Sequence, residues 1–190
     1  MVELNREQQI KILKLARNSI YQYLTSRTLP QTDWDEFSDE IFKEKCGAFV
    51  TLHINNRLRG CIGYIKGMEE IPTTIVSLAK SSAFEDSRFP PLNDDEYKGI
   101  DIEISILSPI EKVKDISEIV IGRDGLIISQ NYRSGLLLPQ VATEQNWDVI
   151  TFLENTCYKA GLPGDAWESD ETKIEKFSAQ VFGEKELNII

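Results

Sequence analysis

Residues 58–63 read Leu58-Arg59-Gly60-Cys61-Ile62-Gly63, and they follow a segment of alternating apolar side chains that predicts the first strand of a β-hairpin. In a strand, side chains two residues apart lie on the same face. Arg59, Cys61 and Gly63 are therefore expected together on one face. A cation makes a neighbouring thiol more reactive, and glycine lets a ligand approach the backbone closely. The segment thus predicts both a hairpin and a functional site on it.

The hairpin spans Gly47–Ile65 and turns near Asn55-Asn56. With a two-residue loop, Arg59 would lie opposite Leu52 on the apolar face of the sheet. Burying a guanidinium there is costly without a partner. This register is therefore disfavoured.

A three-residue loop that includes Arg57 resolves this conflict. Ile54 then pairs with Leu58, Thr51 lies opposite Cys61, and the apolar side chains share one face. Because the hydrophobic pattern sets strand register, we predict the three-residue loop. It places the arginine and the cysteine of the hexapeptide on the face opposite the apolar side chains.

Apolar spacing predicts the remaining elements. Spacings of three and four residues indicate helices, and strict alternation indicates half-buried strands. The segment Gly122–Gly125 is interpreted as the turn of a second hairpin. The predicted helices are at about residues 6–24, 39–44, 72–84 and 149–160, and the predicted strands are at residues 100–106, 119–121, 126–128, 136–138 and 174–181. Adjacent hairpins favour an α+β fold with antiparallel sheets and flanking helices.

Composition narrows the possible function classes. The formal net charge is −10, from 31 acidic and 21 basic residues, whereas nucleic-acid binding requires a dense basic surface. Direct nucleic-acid binding is therefore disfavoured. No apolar run reaches the roughly 20 residues that cross a bilayer, and the first residues lack the pattern of a secretory signal. The sequence predicts a soluble, acidic, cytoplasmic protein whose residues 1–190 form a single domain, built either on one large core or as two small lobes.

Metal and cofactor motifs are missing from the sequence. Cys46, Cys61 and Cys157 are too few and too scattered for a disulfide framework. His53 is the only histidine, which excludes a zinc site built on two histidines and leaves a mixed site of cysteine, histidine and carboxylate as the alternative. No phosphate-binding loop, dinucleotide fingerprint or nucleophile elbow occurs. We predict neither a metal nor a cofactor.

The hexapeptide at residues 58–63 resembles the LRGCIG motif of the AMMECR domain family, and other segments match that family in the same order. They are Gly47–Leu52, Asp86–Leu92, Gly122–Leu126, Gly135–Ala142 and Cys157–Pro163, so the resemblance runs from about residue 47 to residue 167. Ser87 departs from the family pattern, which usually has proline at that position.

The resemblance implies a two-lobed α+β protein with a cleft between the lobes. It implies no particular reaction, because the activity of the family is not established. Relatives fused to, or encoded beside, Memo-like and radical-SAM domains imply a modification pathway, with nucleic acid bases as one interpretation of its target.

The two polar residues of the hexapeptide each have a structural and a functional interpretation. Cys61 is either a packed core residue, since free cysteine is often buried, or a nucleophile or ligand contact activated by Arg59. Arg59 either forms an ion pair with Glu85 or Asp86, or clamps an anion or carboxylate of a ligand.

The loop after the third predicted helix is expected to complete the site. Asp86, Arg88 and Phe89 are predicted to form the wall opposite the hexapeptide, because the following Pro90-Pro91 holds the loop rigid, and Glu85 is predicted as a further binding residue. The structural alternative is that Asp86 caps or pairs locally and Phe89 packs in the core. Gln140 follows a strand end and is predicted at the edge of the site, although a local backbone hydrogen bond is its alternative role.

Gly60 and Gly63 are predicted to bind ligand by leaving the strand surface open. Two functions remain open at this stage. The first is an enzyme with an inter-lobe cleft centred on Arg59 and Cys61. The second is a non-catalytic module whose cleft binds a small molecule or a protein. The sequence does not predict an oligomeric state.

Overall fold

Residues 3–189 are described by a computed structural model, in which helices and antiparallel strands form an α+β fold, as predicted. The chain divides into two compact units. The first runs through Leu107 and resumes at Gln180, and the second comprises Ser108–Ala179. Within the described residues, no helix is both long and apolar enough to cross a membrane.

The first unit packs helices on one face of an antiparallel sheet with the strand order β2-β1-β3. Its helices are α1 (Arg6–Ser26), α2 (Ile71–Phe84) and α3 (Asp94–Tyr97), and its strands are β1 (Ala48–Ile54), β2 (Arg57–Tyr64) and β3 (Ile100–Leu107). A 3₁₀ turn at Glu40–Lys43 lies where a short acidic helix was predicted.

Alternation explains how this sheet joins the helices. Val50 and Leu52 of β1 are fully buried, as are Ile102 and Ile104 of β3, whereas the residue between the two members of each pair is half-buried. Helix α2 packs against β1 and β2. The apolar face therefore forms one core cluster with α1 and α2.

The second unit is built on antiparallel strands in the order β4-β7-β5-β6. Its strands are β4 (Glu111–Lys112), β5 (Asp124–Gln130), β6 (Arg133–Leu137) and most of β7 (Lys173–Gly183), and its helices are α4 (Pro139–Glu144) and α5 (Val149–Lys159). The core contains Leu126, Ile128, Phe152 and Cys157. Gly161 follows the end of α5 with a φ of 71°, the left-handed conformation with which glycine commonly ends a helix.

The predicted second hairpin is wrong. Residues 119–121 form no strand, and β5 instead pairs with β6 around Asn131-Tyr132. Asn131 has a φ of 54°, the left-handed conformation that asparagine tolerates in a two-residue hairpin turn. The strand predicted at residues 136–138 is the end of the longer β6, and α4 begins at Pro139.

Candidate functional site

The β1–β2 hairpin turns through two residues rather than three. Asn55 and Asn56 have φ values of 51° and 60°, as a two-residue type I′ turn requires. Ile54 therefore pairs with Arg57 and not with Leu58. The predicted three-residue loop is wrong because the conformation of the turn, rather than the apolar pattern, sets the register beside it.

A β-bulge at Arg59 restores the predicted register farther along the hairpin. Leu58 and Gly60 pair with consecutive residues of β1, so Arg59 between them has no partner in that strand. Beyond the bulge, Thr51 lies opposite Cys61, as predicted. Because a bulge redirects a side chain, the alternation that placed Arg59 on the face of Cys61 does not extend through it.

The space beside Gly60 and Gly63 is filled by the chain itself. A Cβ atom at Gly60 would overlap the carbonyl oxygen of Ser82 in α2, and one at Gly63 would overlap the ring of Phe49. Both glycines permit a close approach within the protein. The predicted open strand surface at these positions is therefore wrong.

Ser82 fastens α2 to the two strands beside the site. Its buried hydroxyl accepts a hydrogen bond from the N–H of Ile62 at 3.1 Å and donates one to the carbonyl of Val50 at 2.7 Å. Val50 and Ile62 are partners across the hairpin. The helix thus fixes the backbone immediately next to the hexapeptide's cysteine.

Arg59 is buried and is held by Glu96 of α3. Its Nε and Nη2 donate to the two carboxylate oxygens of Glu96, each at 2.8 Å, and Nη2 also donates to the carbonyl of Pro90 at 2.8 Å. The hydrogen bonds from Arg59 are the main cause of a lowered pKa at Glu96. Arg59 therefore forms an ion pair within the chain, but with Glu96 rather than with the predicted Glu85 or Asp86.

The third guanidinium nitrogen of Arg59 has no such partner. Nη1 is buried and makes no hydrogen bond to any of the described residues. The Arg59 side chain is only 9% exposed, and the guanidinium lies 5.7 Å from the centroid of the Phe89 ring. An unsatisfied buried donor of this kind calls for an explanation.

Asp86 is not the partner of Arg59, contrary to the prediction. Its Oδ2 accepts the N–H of Cys61 at 2.9 Å, and the guanidinium of Arg88 donates to both carboxylate oxygens, at 2.9 Å from Nε and 2.7 Å from Nη2. Hydrogen bonding from Arg88, followed by the backbone N–H groups, holds the pKa of the buried Asp86 well below its usual range. The Asp86 carboxylate, which was predicted to pair with Arg59, is instead paired with Arg88, two residues later in the chain.

Glu85 is not the partner of Arg59 either. Its carboxylate accepts hydrogen bonds from Lys80 and, at 2.7 Å, from the hydroxyl of Ser81. The hydrogen bond from Lys80 is the main cause of a lowered pKa at Glu85. Lys80 and Ser81 precede Glu85 by five and four residues, so both donors lie close to it at the end of α2. Glu85 therefore forms local hydrogen bonds and does not reach Arg59 on the strand.

Cys61 is held on three sides. Its N–H binds Asp86, its carbonyl accepts a 3.2 Å hydrogen bond from Nη2 of Arg88, and its Sγ accepts a hydrogen bond from the Thr51 hydroxyl at 3.3 Å. The thiol is half-buried, whereas Cys46 and Cys157 are buried. Burial raises the pKa of Cys46 to about 11 and also raises that of Cys157.

Comparison with known proteins identifies the family to which this chain belongs. The AMMECR1 family profile matches residues 13–182. A protein of Methanothermobacter thermautotrophicus is 40% identical over 188 residues, covering 95% of this chain and 96% of that protein. The chain belongs to the AMMECR1 family.

Other AMMECR1 relatives support the same assignment. A protein of Pyrococcus furiosus is 41% identical over 186 residues, covering 92% of this chain and 87% of that protein. The crystal structure of an uncharacterized protein from Pyrococcus horikoshii matches with a TM-score of 0.84 and 38% identity, covering 91% of this chain and 89% of that one. None of these names states a reaction or a ligand.

Gln140 lies in the second compact unit of this AMMECR1 protein, near the start of α4. Its Oε1 is buried and has no hydrogen-bond partner among the described residues. Its predicted place at the edge of the site stays a prediction.

Glu96 is the site residue that the sequence reasoning missed. The spacing Asn93-x-x-Glu96 is a capping-box pattern, and the structure contains this box at the start of α3. That pattern fixes a glutamate side chain at a helix start, but it does not say which strand the helix approaches.

In the part of the chain that the structure describes, no group of three or more histidine, cysteine, aspartate and glutamate residues is arranged to hold a metal ion. The candidate site contains guanidinium groups, carboxylates, an aromatic ring and one thiol.

Proposed function

We propose that the protein is a ligand-binding module whose first unit takes a hydrogen-bond acceptor of the ligand at Nη1 of Arg59. The observation that carries this proposal is the buried, unpartnered Nη1 atom. Leaving a buried donor unsatisfied costs about 1–3 kcal/mol, and more for a charged group. A ligand acceptor that reaches Nη1 would recover this cost on binding.

The surroundings of Arg59 favour binding because they hold the guanidinium still. Three hydrogen bonds fix its Nε and Nη2, so little side-chain freedom is left to lose when a ligand arrives. The centroid of the Phe89 ring lies near two guanidinium groups, 5.7 Å from that of Arg59 and 5.6 Å from that of Arg88. This arrangement offers a preorganised polar edge beside an aromatic surface.

The test is a thermal-shift screen of a metabolite collection against three proteins: the wild type, Arg59→Lys and Arg17→Lys. Arg59→Lys keeps a positive charge beside Glu96 but removes the planar fork with Nη1. A ligand at 100 times its dissociation constant adds about 2.7 kcal/mol to the stability of the folded state. We expect a compound that stabilises the wild type and Arg17→Lys but not Arg59→Lys.

The ligand-binding proposal fails if every stabilising compound acts equally on Arg59→Lys. It also fails if a collection of acids, amides and peptides contains no stabilising compound. Arg17 is the matched control because it makes the same type of fork to a glutamate, at Glu184.

A second candidate function is an enzyme with Cys61 as its nucleophile. The observation in its favour is that Cys61 Sγ is half-buried and accepts a hydrogen bond from Thr51, which orients the sulfur. Asp86 is a poor candidate for its base, because Arg88 and two backbone N–H groups already occupy that carboxylate.

Alkylation by iodoacetamide, followed site by site with mass spectrometry, tests this second function. The thiolate is the reacting form, so the raised pKa values of Cys46 and Cys157 predict slow reaction at pH 8. A catalytic Cys61 should react more than about tenfold faster than a free cysteine at pH 7. Reaction of Cys61 no faster than that of Cys46 would contradict the enzyme and leave the binding module unaffected.

A further inference from the structure

The charges around Arg59 are balanced within the chain. Arg59 is paired with Glu96, and Arg88 is paired with Asp86, so two guanidinium groups face two carboxylates. The four side chains therefore carry no net charge. The whole molecule carries a formal charge of −10, which adds no attraction for an anion.

The fork of Arg59 is also occupied. A carboxylate or phosphate is bound most strongly through two parallel N–H bonds from one guanidinium. Glu96 already uses Nε and Nη2 for such a pair. Only Nη1 remains for a ligand, and a single nitrogen suits one oxygen atom rather than an anionic pair of oxygens.

We infer that Arg59 binds an uncharged carbonyl oxygen, such as that of an amide, and that Glu96 determines this specificity. This inference rests on the proposed ligand-binding function. Glu96 occupies the fork and neutralises the guanidinium, so an incoming anion meets neither a second pair of donors nor an excess positive charge. A neutral carbonyl needs only the one donor and escapes repulsion from the Glu96 carboxylate.

Glu96 is fixed in this position by its own helix. Its Oε2 accepts the N–H of Asn93 at 3.2 Å, while Oδ1 of Asn93 accepts the N–H of Glu96 at 3.0 Å. This capping box ties the carboxylate to the start of α3. An incoming anion would have to break the box and the ion pair together to take over the fork.

The experiment titrates three small probes into ¹⁵N-labelled protein at constant ionic strength: acetamide, acetate and inorganic phosphate. The Nε–Hε resonance of Arg59, identified by its loss in Arg59→Lys, reports binding. The wild type should respond to acetamide, and its response to acetate or phosphate should not exceed that to sodium chloride. Glu96→Gln should respond to acetate at about a tenfold lower concentration than the wild type, because one opposing charge is gone.

Asp95→Asn is the matched control for the change of charge. Asp95 is the neighbouring residue in α3, and its side chain is 95% exposed and contacts Lys98. This variant should behave as the wild type with all three probes. Should Glu96→Gln lose its fold, Glu96→Asp is the second variant, because its shorter side chain withdraws from the fork and should also increase the acetate response.

The outcomes separate this inference from the proposed function. A wild-type response to acetate or phosphate at a lower concentration than to acetamide overturns the inference but keeps a ligand-binding Arg59. An unchanged acetate response in Glu96→Gln overturns the role of Glu96. Failure of all three probes to shift Arg59 in any variant overturns the proposed function as well.

Two further probes identify the source of the carbonyl once acetamide binds. N-acetylalanine methylamide presents a peptide carbonyl, and uracil presents a ring carbonyl. The probe that shifts Arg59 at the lower concentration assigns the source, and either result supports an uncharged carbonyl ligand.

Discussion

Two arginine–glutamate pairs in the first unit have the same hydrogen-bond pattern but different surroundings. In each, Nε and Nη2 bind the two carboxylate oxygens, at 2.5 and 2.6 Å in the Arg17–Glu184 pair and at 2.8 Å in the Arg59–Glu96 pair. In each, Nη2 also donates to a backbone carbonyl, and an aromatic ring lies under the guanidinium. The local chemistry is thus nearly identical.

Burial is what distinguishes the pairs. In the first, Glu184 is 2% exposed and also accepts the N–H of Ile102, while Arg17 is 23% exposed. In the second, the order is reversed, since Arg59 is 9% and Glu96 is 29% exposed. Only Arg59 has a nitrogen that is both buried and unpartnered among the described residues. The first pair therefore has no buried nitrogen without a partner among the described residues, whereas the second leaves one buried donor available to a ligand.

Arg17→Met should have the largest effect on stability. It leaves the buried carboxylate of Glu184 without its counter-charge, which typically costs about 3–5 kcal/mol. Denaturant unfolding at pH 7 measures this loss, and the response of Arg59 to acetamide should persist in the folded fraction. A loss smaller than that of Arg59→Met would reverse the assignment of the two pairs.

Gly60→Ala should have the next largest effect. The added methyl group would overlap the carbonyl of Ser82 in α2, and overpacking of this kind costs about 1–3 kcal/mol. Gly99→Ala is the control, because the atom nearest to its Cβ would lie 3.8 Å away. A neutral Gly60→Ala would mean that the strand next to Arg59 has open space after all, and that more than Nη1 is available to a ligand.

The sequence predicted the elements whose pattern is local. The alternation of Ile100, Ile102, Ile104 and Ile106 identifies β3, and the apolar spacing of residues 6–24 identifies most of α1. The family and the α+β class followed from ordered motifs and from adjacent hairpins. These signals depend on neighbours within a few residues, so they need no knowledge of tertiary packing.

The sequence could not predict the parts of the site that depend on distant contacts. Arg59 and Glu96 are 37 residues apart, and no pattern in either segment indicates that the two side chains form a pair. The two-residue turn at Asn55 and Asn56 was a local signal, but the argument against burying an unpaired arginine overrode it. The bulge reconciles both facts, because it keeps the tight turn and gives Arg59 a carboxylate partner.

Arg59→Met should cost less than Arg17→Met, about 1–2 kcal/mol. Glu96 is partly exposed, so water can replace the lost guanidinium, and the cost of the unsatisfied Nη1 disappears with it. Unfolding at pH 7 measures the loss of stability, and the thermal-shift screen measures the loss of binding. A loss as large as that of Arg17→Met, with binding unchanged, would show that both pairs are purely structural.

The smallest expected effect is a pH dependence at Glu96. Its pKa is lowered in the folded state, chiefly by Arg59, so the folded protein binds fewer protons there than the unfolded chain, whose glutamate pKa is about 4.3. This stabilisation is complete above that value and is lost as the pH falls through the lower folded-state pKa. Glu96→Gln should therefore cost about 1 kcal/mol at pH 7 and less at pH 3.

The comparison of unfolding free energies at the two pH values checks this sign. Asp95→Asn, which removes an exposed charge paired only with Lys98 at 3.3 Å, should change stability by less than about 0.5 kcal/mol at both. If Glu96→Gln costs the same at pH 3 as at pH 7, its effect arises from the capping box and not from the ion pair. Glu96 would then stabilise the start of α3 without stabilising Arg59. The buried Nη1 of Arg59 would be the one remaining difference between the Arg59–Glu96 and Arg17–Glu184 pairs.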